Sequence, residues 1–436
     1  MAKSPSKLKQ LRRHPSLLIG LVLIAILVGV SLYAVIAIPY PEAVRLWLDP
    51  GERIDNPSFA RPVWFDRFTS DRLPRTIVPR LADEGATLTE VPLDDGMKRI
   101  EAVIAFDYHY DGFPSELSLY TLVTGGEERT PVSVSWKTPA GDTIVLGEYH
   151  ARQSHTYYIS LDRDLRERLG MAPHFGLFVI DPTVPWDERE PMHGTYELIL
   201  QGEFEEGQSL DDVSLAVYGQ VHGPFGTDHQ RRDLTLPMVW GAVVALGFGV
   251  LAALAWQLGN VLLALMGRRY RERVDPLFRR LTGVNTILLI LPILIVISHL
   301  HQPGIWAILG LVIVLSCIMA VIRVLRAVLL PSEEMPHSGP ARAPGTLIAV
   351  VLPSFLLAVP AFVFLEAALG LSGLGDPMLP TWGKMIHHAL VQGALYHGHY
   401  YWIMQPLLLL MVLGIGFALA GYALHRIYNP RLHAKK

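Results

Sequence analysis

Six apolar runs constrain this chain more than any other feature: residues 16–38, 237–266, 281–300, 305–330, 346–371 and 402–424. A helix needs about 20 apolar residues to cross a bilayer core, and each run meets or approaches that length. Backbone polar groups inside a bilayer must be satisfied within the segment itself, so the sequence predicts an α-helical polytopic membrane protein with six spans. The first run is longer than the core of a secretory signal and no A-x-A-like site follows it, which predicts an uncleaved anchor.

Basic residues near span ends stay cytoplasmic. Lys3, Lys7, Lys9, Arg12 and Arg13 precede the first span, and six crossings from a cytoplasmic start put loops 268–280 and 331–345 and the basic tail inside as well. Both termini are thus expected in the cytoplasm. Residues 40–235 hold 34 of the 40 acidic and 18 of the 37 basic side chains, so this stretch carries about −16 and the remainder about +13. The basic residues flank apolar runs and form no polyanion groove, which argues against a nucleic-acid partner. A single cysteine, Cys317, excludes a disulfide framework and a cysteine-based metal site.

The acidic stretch shows period-two alternation, the mark of half-buried strands. Ile100, Ala102, Ile104, Phe106, Tyr108 and Tyr110 fall on one face; Val132, Val134 and Trp136, then Tyr196, Leu198 and Leu200, then Val213, Leu215, Val217 and Val221 repeat the pattern. We expect an antiparallel β-sandwich-like insert of about seven or eight strands between the first two spans, preceded by an ordered linker over 41–79. The expected organisation is a basic cytoplasmic segment (1–15), span 1 (16–39), an extracytoplasmic β-rich domain (40–235), a five-helix domain (236–432) and a tail (433–436).

Three clusters at the junctions of this frame resemble one family, the second permease subunit of the dipeptide, oligopeptide and nickel ABC importers. Gly226, Thr227 and Asp228, then Arg231, Arg232 and Asp233, are similar to that family's G-T-D-x-x-G-R-D, with Arg231 where the family has glycine. Glu366, Ala367 and Leu369, then Gly373-Leu374-Gly375 and Pro380-Thr381-Trp382-Gly383-Lys384-Met385, are similar to E-A-x-L-S-F-L-G-L-G followed by P-x-W-G-x-M. The tail, Asn429-Pro430-Arg431-Leu432, resembles the family's D-P-R ending. Asp55-Asn56-Pro57 and Pro62-Val63-Trp64 resemble the start of the larger outer domain of some members. The family's coupling segment, E-A-A-x-x-x-G, has its best counterpart at 339–345, where Ala341, Arg342, Ala343 and Gly345 are the candidate ATPase-coupling residues. The glutamate is missing there, and two prolines speak against a regular helix.

The resemblance implies a type I ABC importer permease fold in a prokaryotic plasma membrane. The partners it implies are a second permease subunit, two ATP-binding subunits, an extracytoplasmic substrate-binding protein and membrane lipid. No Walker sequence, G-x-S-x-G or H-E-x-x-H occurs, so the chain offers no catalytic residue and no cofactor, and ATP hydrolysis is expected on partner chains. Glu366 falls about 30 Å along its helix from residue 346, a place for capping or pairing near the Gly373–Gly375 turn. His387, His388, His397 and His399 are read as part of an interfacial aromatic belt rather than as metal ligands, because Asp376 is the one carboxylate in that loop. Gly414, Gly416 and Gly421 are read as helix-packing positions. The competing reading is a membrane-anchored binding or sensory protein whose β domain is the active part.

Overall fold

The computed structural model describes residues 14–69, 72–93, 96–125, 130–151, 153–205, 207–269, 286–329, 344–376, 378 and 380–428, with side chains described except in 262–269, 286–290, 319–329 and 344–350. The chain divides into two compact units, Pro50–Leu234 and Met1–Asp49 together with Thr235–Lys436.

The helical unit contains α1 (Pro15–Ala37), α2 (Tyr40–Leu48) and, beyond residue 234, α5 (Thr235–Arg269), α6 (Thr286–His301), α7 (Ile305–Leu329), α8 (Pro344–Leu371), α9 (Trp382–Val391) and α10 (Tyr401–Tyr428). Among the described residues, four stretches are long and apolar enough to cross a membrane: Pro15–Ala37, Thr235–Val261, Val351–Leu371 and Tyr401–Tyr428. Leu291–His301 and Ile305–Ile318 are shorter apolar helices among the described residues. The chain is a helical polytopic membrane protein.

Apolar side chains cannot drive helices together in lipid, so close packing of small residues does it. A Cβ on Gly20 of α1 would lie 2.7 Å from Gly416 O and from Ala420 N of α10, so those backbones touch. Leu17, Ala420 and Ala423 close around this contact. Gly414 and Gly421 of α10 face Phe364 and Leu357 of α8, each leaving room for no Cβ (2.8 Å), and Gly249 of α5 sits against Val363 in the same way (2.5 Å). These contacts tie α1, α5, α8 and α10 into one bundle.

The other unit is built from β1 (Ala86–Pro92), β2 (Met97–Tyr108), β3 (Glu116–Thr124), β4 (Thr130–Lys137), β5 (Thr143–Ala151), β6 (Ser154–Tyr157), β7 (Gly194–Glu205) and β8 (Ser209–Tyr218), with short helices α3 (Arg163–Leu169) and α4 (Pro173–Gly176). Two antiparallel sheets result, ordered β1-β2-β7-β4-β5 and β6-β3-β8. The alternating residues form the buried face: Ile100, Ala102, Ile104, Phe106 and Tyr108 on β2, Val132, Val134 and Trp136 on β4, and Tyr196, Leu198 and Leu200 on β7 join Val213, Leu215 and Val217 of β8 in one core. Trp136 lies at its centre, 5.5–5.7 Å from the rings of Phe106, Phe178 and Tyr196.

Two details differ from the expected linker over 41–79. Residues 40–48 form a helix that packs with the helical unit, because its apolar stripe, Ala43 and Trp47, buries against Leu236 and Trp240. Further on, Ile77 and Leu81 donate N–H bonds to Val217 O and Val213 O, so this stretch lies antiparallel beside β8 and satisfies its free edge.

Candidate functional site

The motif-bearing residues gather at two places, one in each unit. In the β-rich unit, Gly226 takes φ +82° and the chain turns into a closed loop. Leu234 N–H returns to Gly226 O at 3.0 Å, and Thr227 bridges Asp233. Thr227 is fully buried; its hydroxyl donates to Pro57 O (2.7 Å) and accepts from Ala60 N (2.9 Å). Asp228, 1% exposed, organises the rest. Its Oδ1 accepts the N–H groups of Gln230 (2.8 Å) and Arg232 (2.9 Å), and its Oδ2 accepts Arg232 Nε at 2.6 Å. Burial pulls the Arg232 guanidinium below its usual range, and contact with Asp228 opposes that. A buried pair of this kind holds only while both partners remain.

Arg231, standing where the family has glycine, takes φ +62°. Backbone in this region costs a non-glycine residue about 1 kcal/mol or more, and the side chain has three compensating contacts. It donates to Asn56 O (2.9 Å), pairs with Glu116, and lies 4.0 Å over the ring of Tyr218. Asn56 Nδ2 donates back to Arg231 O at 3.1 Å. The Asp55-Asn56-Pro57 segment and the Gly226–Asp233 loop therefore form a single structure. Pro62-Val63-Trp64 joins it: Val63 N donates to Gly223 O (2.9 Å) and Trp64 Nε1 to Pro224 O (3.0 Å).

The second place is the joint between α8 and α9. A Schellman motif ends α8: Gly373, at φ +76°, donates to Gly370 O, and Leu374 donates to Leu369 O. The chain then folds back, Thr381 caps α9 by accepting Lys384 N, and α9 runs against α8. Contact is backbone to backbone. A Cβ on Gly383 would fall 2.3 Å from Ala367 O, one on Gly370 would fall 2.8 Å from Lys384 N, and one on Gly375 would fall 3.0 Å from Gly370 Cα. Trp382 is buried and donates to Met238 O of α5 (3.1 Å), its ring lying where a Cβ on Gly241 would be.

Glu366, 4% exposed, sits inside this joint and accepts a hydrogen bond from Thr381. Its Oε1 has no partner among the described residues. Asp376 caps α7 by accepting Ile305 N–H at 2.6 Å, and its own carbonyl takes Lys384 Nζ at 2.9 Å. Of the four loop histidines, His387 bonds Leu371 O at 2.9 Å and its ring fills the space beside Gly373.

Ala341, Arg342, Ala343, Pro430 and Arg431 lie outside the described residues. Gly345 falls in the first turn of α8, directly after Pro344, the first residue of that helix. Proline is well suited to that position, since its missing N–H is not needed there, so Pro344 starts the helix and does not interrupt one. Gly241, Gly370 and the part-buried Gln257–Ser354 hydrogen bond between α5 and α8 (2.6 Å) were not singled out from the sequence. A polar residue in an apolar run was the available signal for Gln257.

No family model matches the chain. It is similar to the probable peptide ABC transporter permease y4tQ of Sinorhizobium fredii, with 28% identity over 224 residues, which is 48% of this chain and 74% of that protein. The dipeptide transport system permease DppC of Bacillus subtilis is 26% identical over 226 residues, 48% of this chain and 68% of DppC. The peptidoglycan transport system permease YejE of Agrobacterium fabrum is 26% identical over 222 residues, 47% of this chain and 55% of YejE.

Proposed function

We propose that the chain is a transmembrane subunit of an ATP-driven importer for peptides or similar small solutes, forming half of the translocation pathway. It pairs with a second permease subunit, two ATP-binding subunits and an extracytoplasmic substrate-binding protein. Six spans of the type I permease kind, cytoplasmic termini and a prokaryotic inner membrane belong to the same reading, with the β-rich unit outside.

The similarity to peptide-type permeases over 47–48% of the chain supports this most. The mechanism is conformational: nucleotide bound and hydrolysed on partner chains biases a two-state bundle between outward and inward access. The tight α8–α9 joint, locked to α5 through Trp382, moves as one piece in such a change, because Gly383 and Ala367 leave no space for sliding. The segment containing Ala341, Arg342, Ala343 and Gly345 is the ATPase contact in this proposal.

Co-expression with a sister permease and its ATPases provides the test. The reading expects a stable complex containing this chain, with ATP hydrolysis stimulated by loaded binding protein. A chain that purifies alone from such cells contradicts it and favours the anchored binding or sensory protein. Sidedness is tested separately: with Cys317 replaced, cysteine at Glu205 reacts with an impermeant maleimide on whole cells and cysteine at Arg271 does not.

A further inference from the structure

A turn held beside the Gly226–Asp233 loop carries a surface that the transport reading does not use. The 3-10 turn Val63–Phe68 presents Trp64 (43% exposed) and Phe68 (78% exposed) to solvent. Phe65 completes the group, its ring 5.4 Å from that of Trp64, while the Trp64 and Phe68 rings are 6.1 Å apart. Arg61 lies over Phe65 at 5.4 Å, and exposed Arg67 forms no ion pair among the described residues. Arg75 bridges Val221 beside Arg61, and half-buried Asp66 is the acid of the turn. Large exposed rings rimmed by guanidinium groups are costly in water and suited to the water–lipid boundary, where aromatic residues and arginine collect.

The course of the chain says what covers this surface. Trp64 is held at Pro224 O, and Pro224 is two residues from Gly226, at most about 7 Å of chain. Gly226 O accepts Leu234 N–H, and the next residue, Thr235, starts α5, a membrane-spanning helix. At the other entry, Pro50 comes one residue after Asp49, the C-cap of α2, whose Trp47 packs with Trp240 while Trp240 Nε1 donates to Ile38 O at the end of α1. Tyr40, Trp47 and Trp240 are thus an aromatic belt at the end of the spans from which both connections leave. Within the β-rich unit the exposed rings lie at the Tyr218 end of β8, held to the segment that runs through Leu234 into α5.

We propose that Trp64, Phe65 and Phe68, with Arg61, Arg67 and Arg75, form an interfacial contact that seats the β-rich unit on the phospholipid headgroup layer, the rings in the glycerol region and the guanidinium groups on lipid phosphate. This goes beyond the transport reading and does not depend on it.

The test uses the full chain with Cys317→Ser as background, reconstituted in vesicles of phosphatidylcholine and phosphatidylglycerol. A polarity-sensitive fluorophore is placed on Phe68→Cys, on Trp64→Cys as a second site, and on Glu205→Cys as reference. Glu205 precedes β8 at its Ser209 end, nine residues of strand or about 30 Å from Tyr218. Labels at 64 and 68 are expected to emit blue-shifted and to be quenched by lipid bearing a headgroup nitroxide, with the label at 205 neither shifted nor quenched. Arg61→Gln combined with Arg67→Gln is expected to lower quenching at 68. Emission and quenching at 64 and 68 equal to those at 205 would overturn the proposal, as would a blue shift that appears only when a substrate-binding protein is added.

Discussion

The two motif junctions are held by opposite physics. In the Gly226–Asp233 loop, atoms are present to satisfy other atoms: Asp228 answers two N–H groups and a guanidinium, and Thr227 answers a carbonyl and an amide. At the α8–α9 joint, atoms are absent so that backbones can meet, with Gly383 on Ala367 and Gly370 on Lys384. The first lies in a unit that can exchange hydrogen bonds with water, where polar networks give definition. The second belongs to a bundle that gains little from apolar burial and depends on close approach. Truncation should therefore damage the first, and enlargement the second.

Asp228→Ala is the largest expected effect. It leaves Arg232 buried without its partner, a loss of about 3–5 kcal/mol, visible as a fall in the melting transition of the β-rich unit by circular dichroism. Gly383→Ala, which adds one methyl, should cost about 1–3 kcal/mol through overpacking against immobile backbone. The same change at Gly247, where nothing lies within 4 Å of an added Cβ, should be neutral. Equal tolerance at Gly383 and Gly247 in a detergent thermal-stability assay would erase the contrast between the junctions.

Arg231 sharpens the comparison because it combines both kinds of effect. Arg231→Ala keeps the positive φ and loses all three contacts, whereas Arg231→Gly loses the contacts and relieves the backbone. The alanine variant should be the less stable by about 1 kcal/mol. A glycine variant no better than alanine would show that the strain is not stored there.

The sequence spoke clearly where structure is periodic. Ile100 to Tyr108 alternate because one face of β2 meets the core, and that pattern needs no knowledge of partners. It said little about pairing. Gly20 meets Gly416 and Ala420 across nearly four hundred residues, and an apolar helix does not mark which of its faces will be touched. Arg231 was visible as a departure from glycine, but its supports, Asn56 and Glu116, are 175 and 115 residues away and carry no local signature. Residues 77–81 showed no alternation, because Pro79 interrupts the stretch that lies beside β8.

The smallest expected effect is electrostatic and belongs to the β-rich unit. Burial holds the imidazoles of His174, His229 and His155 below their ordinary value of 6.5, against the opposing carboxylates Glu116 and Asp228 at the first two. The unfolded chain then binds more protons between the two values, so stability is complete above about pH 6.5 and declines as pH falls below it. The melting temperature of this unit should drop between pH 7 and pH 5, and His174→Phe should flatten part of that slope.

Peptide uptake tests the central claim most directly. Proteoliposomes holding this chain, its sister permease and both ATPases, supplied with loaded binding protein, should accumulate labelled peptide only when ATP is present. A complex carrying Gly383→Leu should assemble and fail to transport, because the α8–α9 joint is forced apart. Uptake at an undiminished rate by a preparation lacking this chain would contradict the account.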